Sequence, residues 1–122
     1  MRITHQGNEW TGDEPRGSEG LRLFRRVAGL IASERLHARL ANPVEAAAAL
    51  ASHPDGEAVL LATFAGWSRG GRQINRAALD FLAAPETILE PWLVCLEVWG
   101  RLGFFGPAVL GALQGLDARR AD

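Results

Sequence analysis

The sequence predicts an all-α protein, a compact bundle of five to six short helices with a small N-terminal hairpin or arm. Three observations point there. Apolar residues recur at spacings of three and four over most of the chain, the period of a helix with one buried face. Proline and glycine interrupt this pattern at intervals that suit short interhelix loops. The one apolar run that would also suit a strand, Glu57–Trp67, has no partner segment of similar strength. At 122 residues the chain is one domain's worth, read as an arm over residues 1–17 and a helical body over 18–122.

Within the arm, "RITHQGNEW" suits a hairpin around Gln6-Gly7-Asn8, with Ile3 and Trp10 as apolar anchors. Ser18 is placed to cap a first helix, whose stripe is Leu23, Phe24, Val27, Leu30 and Ile31. Leu36 and Leu40 fall on another side, so this helix bends near Ala32-Ser33 or is contacted on two faces. Asn42, Pro43 and Glu45 form the start of the next helix, a cap, a first-turn proline and a capping-box acid. Pro54 and Gly56 stop it. Leu60, Leu61, Phe64 and Trp67 make a helical stripe, ended by "SRGG".

A further helix is expected from about Arg72, with Ile74, Ala78, Phe81 and Leu82 on one face. Thr87 and Glu90 suit a second capping box. Trp92, Leu93, Leu96 and Trp99 then continue at helical spacing to a cap at Gly103. Gly106-Pro107 opens a last helix with Val109, Leu110, Leu113 and Leu116 as its stripe.

Hydrophobic residues make up 48% and charged residues 22%, close to the globular average, so disorder is not expected. A chain of this size buries roughly two-thirds of its unfolded surface and needs no metal or disulfide to fold. The net charge of −1 exerts no general pull on nucleic acid or anionic lipid. Every Lys/Arg position is arginine, a planar fork suited to carboxylates and phosphates. The first seventeen residues lack the apolar stretch of a secretory signal. Leu102–Leu116 is free of charge but is shorter than a spanning helix needs, and Gly106-Pro107 breaks it. A cytoplasmic chain with no membrane role and no cofactor is the resulting expectation.

Two places are candidates for function. "WSRGGRQINR" places Arg69, Gly70, Gly71, Arg72 and Arg76 at the start of a helix. Free backbone N–H groups, glycines that allow close approach and several guanidinium groups are the ingredients of an anion site. The phosphate-loop and dinucleotide fingerprints are both missing, so a plain interhelix loop, with Arg76 paired to Asp80, competes with that reading. The second place is the aromatic C-terminal half, where Trp92, Trp99, Phe104 and Phe105 fall close together on a helix that is apolar nearly all round. Such a helix is either central or faces a partner.

Charge is unevenly spread. Five arginines against Glu34 leave residues 21–41 at +4, while residues 42–68 stand at −3. Pairing of these segments accounts for the pattern better than nucleic acid does, since the aromatics lie mainly in the acidic C-terminal half. Glu34 and His37 have the spacing of a di-iron ligand pair, but the partner motif is absent and arginines flank them, so no metal is expected. His5, His37 and His53 are scattered, and no nucleophile elbow or zinc motif occurs. Cys95 sits in an apolar run and reads as core.

The expected function is a small protein-interaction module, with no catalysis, that self-associates through Trp92, Trp99, Phe104 and Phe105. The alternatives are a module for a phosphorylated ligand or nucleic acid that uses the Arg-Gly-Gly-Arg loop, and a small enzyme or carrier with an apolar pocket.

Overall fold

The chain begins with two strands, β1 (Arg2–His5) and β2 (Asn8–Thr11), in the computed structural model, which describes residues 1–105. Gln6 and Gly7 both have positive φ, 49° and 82°, which is the two-residue turn that matches strand twist. Ile3 and Trp10 face each other across this hairpin and are buried, as the sequence predicts.

The predicted all-α bundle is not what forms. A second hairpin, β3 (Ser68–Arg69) and β4 (Arg72–Gln73), turns through Gly70 and Gly71 at φ 55° and 85°. β3 pairs with β2, giving a four-stranded antiparallel sheet in the order β1-β2-β3-β4. The protein is therefore mixed α/β. The glycine pair looks like an interhelix loop in the sequence because two-residue strands are too short to show a period of two. Its actual role is to supply consecutive positive φ angles, which cost glycine little and other residues more.

Six helical segments complete the described residues: α1 (Gly17–Ser33), α2 (Leu36–Arg39), α3 (Pro43–Ser52), α4 (Gly56–Thr63), α5 (Arg76–Leu82) and α6 (Glu90–Arg101). The predicted bend after Ser33 is a full break, with Arg35 at φ 51°. The break explains why Leu36 faces a different side from the α1 stripe while both are buried. Asn42 caps α3 as expected, its side chain accepting from the Glu45 N–H at 3.2 Å. The Glu45 carboxylate bonds Arg39 at 3.0 Å. The predicted Ser18 cap is not used, since α1 already begins at Gly17.

Beyond Gln73 the predicted helix start moves by four residues. Arg72 and Gln73 are strand, and α5 begins at Arg76 with Asn75 as its cap, accepting from the Ala78 N–H at 3.0 Å. Thr87 does not cap α6; its hydroxyl donates to the Leu82 carbonyl at 2.7 Å. Gly103 does end α6, at φ 77°, with the Phe104 N–H bonded to the Trp99 carbonyl at 2.9 Å. The predicted helix from Pro107 lies outside the described residues.

The core lies between one face of the sheet and the helices. α6 packs on α3, α4, α5 and β1, and α1 packs on α4. Trp10 and Phe64 stand 4.9 Å apart, and Phe64 meets Trp67 edge-on at 5.3 Å. Gly12, just after β2, lies against the indole of the buried Trp67, and a Cβ there would overlap the ring. Gly12→Ala is expected to lower stability by about 1–3 kcal/mol, read as a shifted urea midpoint.

Among the described residues no helix is long and apolar enough to cross a membrane.

Candidate functional site

Strand register places Ile3, Trp10, Arg69 and Arg72 in one row across the inner face of the sheet. The row runs from apolar to charged as it approaches the β4 edge. Two arginines directly opposite each other repel unless counterions intervene. Arg69 has one: its guanidinium donates to the Glu90 carboxylate from Nε and, at 3.3 Å, from Nη2. Glu90 is only 4% exposed and also accepts from the Trp10 indole at 3.1 Å and the Asn8 side-chain amide at 3.3 Å. One carboxylate at the start of α6 thus ties together both hairpins and the last described helix.

Arg72 has no such partner. Among the described residues no carboxylate lies within ion-pair distance of it. Its guanidinium instead lies over the Phe81 ring, 5.8 Å from the centroid. Phe81 is 70% exposed, the most exposed large hydrophobic residue described. Behind this pair, between β4 and α5, runs a groove with about 240 Å³ of free space. Ile74, Ala77, Ala78 and Leu82 supply its apolar wall, Arg69 and Arg72 line it as well, and no acidic residue contributes.

Of the predicted anion-site residues, Arg69 and Arg72 stand opposite each other and line the same groove, while the others have different places. Gly70 and Gly71 form the hairpin turn, Arg69 is committed to Glu90, and Arg76 pairs with Glu57 at 3.7 Å instead of with Asp80. The helix N-terminus that was to hold the anion belongs to α5, four residues later than the sequence suggests and only seven residues long. Of the aromatic set, Trp99 and Phe105 are buried within the chain, while Trp92 and Phe104 are half-buried and pack against the core. Phe104 also meets Phe24 of α1 edge-on at 5.5 Å.

Helical spacing from Arg72 puts Phe81 in a buried stripe, and the Thr87–Glu90 pattern makes Glu90 a capping residue. Both assignments depend on where a helix starts. Asn75 as a cap would have shortened α5. An acid embedded in the apolar run "TILEPWLV" was the available clue to a buried carboxylate.

One cluster resembles a catalytic set. Ser33 Oγ and the Glu34 carboxylate lie 3.4 and 3.8 Å from His53 Nε2. The geometry is wrong for nucleophile activation. His53 Nδ1 accepts from the Asp55 N–H at 3.0 Å, so Nε2 carries the proton of the neutral ring. A base needs its free lone pair on the serine and its carboxylate on the opposite nitrogen. Here serine and carboxylate share one nitrogen.

Cys95 is fully buried, and burial pushes its thiol well above the usual range, only partly offset by a hydrogen bond with Thr63. A thiolate nucleophile is excluded there. In the native protein the thiol is expected to resist an aromatic disulfide reagent that modifies the urea-unfolded chain at once. Among the described residues no group of three or more His, Cys, Asp or Glu side chains is placed to hold a metal ion.

Comparison with protein-family models, curated proteins and solved structures finds no match to this chain.

Proposed function

We propose that this chain is a non-catalytic protein-interaction module whose partner seats an apolar side chain in the groove between β4 and α5. One observation carries the reading: an exposed phenylalanine, Phe81, stands under the uncompensated Arg72 at the mouth of an apolar groove. Aromatic and arginine side chains are the usual anchors of protein interfaces. The free space is below the roughly 300–1,000 Å³ of sites that enclose cofactors and drug-sized ligands, and it suits one or two anchoring side chains. The Ser33–His53 geometry and the sealed Cys95 speak against hydrolytic or thiol chemistry.

A photo-crosslinking residue in place of Ala77, exposed on the groove wall, tests this directly. Irradiation in the native host is expected to give a discrete adduct with another protein. The same residue in place of Ala48, exposed on α3, serves as the control and gives none. Equal labelling from both positions would contradict the reading.

Self-association through the aromatic half stands as a second reading. It is favoured by Leu21 and Phe24, which are 50% and 40% exposed one turn apart on α1, with Phe24 against Phe104. Sedimentation velocity of the wild type and Phe24→Ser decides it. A dimer abolished by the substitution supports it, and a monomer at all concentrations rules it out.

A further inference from the structure

We propose that the occupant of this groove is an extended, acidic segment of the partner, which adds to β4 as a fifth strand and sets a carboxylate at Arg72. The inference rests on the reading that the groove binds a protein, and names what part of that protein enters it.

The backbone supplies the first argument. β4 pairs with β3 on one side only and is an edge of the sheet. Arg72 lies opposite Arg69, and the Ile74 N–H bonds the Trp67 carbonyl at 2.9 Å. In an antiparallel pair, hydrogen-bonded and non-bonded positions alternate. Gln73, between these two positions, therefore turns its own N–H and C=O toward the open edge. These are the groups an added strand uses. The groove includes Arg72, Gln73 and Ile74 of this edge, together with Arg69 of β3, Asn75 and residues of α5.

Side-chain spacing supplies the second argument. Arg72 and Ile74 are two positions apart and share the inner face of the sheet, roughly 6.6 Å apart along the strand. A partner strand in register offers side chains at the same interval. One, an apolar anchor, meets Ile74, Ala78 and Leu82; the other, two residues away, meets Arg72. Charge fixes the sign of that second residue. The inner row holds two opposed arginines, and Glu90 of α6, the carboxylate that meets it, is already bonded to Arg69, Trp10 and Asn8. A carboxylate from outside gives Arg72 the counterion it lacks and relieves its repulsion with Arg69.

Titration of the full ¹⁵N-labelled chain with synthetic peptides tests the proposal. Each peptide is an eight-residue, end-capped, threonine-rich strand with a central phenylalanine. Glutamate, glutamine or lysine lies two residues from that anchor. A fourth peptide repeats the glutamate version with an N-methyl group on the intervening residue, which removes the donor to the Gln73 carbonyl.

The glutamate peptide is expected to shift the amides of residues 72–82 and to bind about tenfold more tightly than the lysine peptide. N-methylation is expected to weaken it about fivefold. Arg72→Glu is expected to reverse the charge preference while its spectrum elsewhere matches the wild type. Shifts over residues 72–82 that ignore both charge and N-methylation would overturn the extended acidic occupant and leave the protein-binding groove standing. No shift with any peptide overturns the inference. If the Ala77 crosslinker also gives no adduct, the broader reading falls with it.

Discussion

Replacing Glu90 by glutamine is expected to destabilise the fold by about 3–5 kcal/mol, the loss seen when one partner of a buried ion pair is removed. Domains of this kind are stable by only about 5–15 kcal/mol, so this is a large fraction of the total. The size of the effect comes from what is left behind. Arg69 is 18% exposed, and without Glu90 no other carboxylate described lies within reach. The amide keeps one carbonyl acceptor for the Trp10 indole and the Asn8 side chain but carries no charge for the guanidinium. Urea denaturation measures the loss. The double replacement Arg69→Met, Glu90→Leu removes both charges together and is expected to be less destabilising than the single one. A single substitution within about 1 kcal/mol of wild type would mean that Glu90 does not tie the hairpins to α6 as described.

Trp99→Ala is the other large expected effect, about 3–5 kcal/mol, from lost apolar contact and the cavity left behind. Trp99 is 1% exposed near the end of α6, and its indole N–H donates to Thr63 Oγ1 at 3.1 Å. The Thr63 hydroxyl in turn donates to the Val59 carbonyl at 2.9 Å, so the pair joins α4 to α6 inside the core. Thr63→Val separates packing from hydrogen bonding. It keeps the volume but leaves a buried indole N–H without its acceptor, and is expected to cost about 1–3 kcal/mol. An exposed, interface-facing Trp99 would instead tolerate alanine within about 0.5 kcal/mol.

The parts of the fold legible in the sequence are those where a local rule coincides with a long element. Asn42-Pro43, the body of α1, the apolar run of α6 and the Gly103 cap each combine period and punctuation, and each forms as expected. The hairpin at Gln6-Gly7 was legible from its turn and its two anchors. Its partner was not. β3 and β4 are two residues each, held by long-range pairing to β2, so the Gly70-Gly71 pair, a hairpin signal only when strand-like segments flank it, has no period of two beside it. The missing strand signal carries through to the site. It places Arg72 on a helix instead of a sheet edge, moves the start of α5, and hides Phe81 in an imagined core. Arg69 and Arg72 are neighbours in the sequence as in the sheet, but what separates their roles is Glu90, twenty-one residues along the chain from Arg69. A carboxylate that distant carries no local signature.

The most direct measurement of the central claim is the affinity of Phe81→Ser for the protein captured by the Ala77 crosslink, taken beside its thermal melt. Phe81 is exposed, so the melt is expected to move by only about 2 °C or less. Affinity is expected to fall by tenfold or more, the loss of one anchoring aromatic. Unchanged binding by a variant with an unchanged melt would contradict the assignment of this groove as the interface.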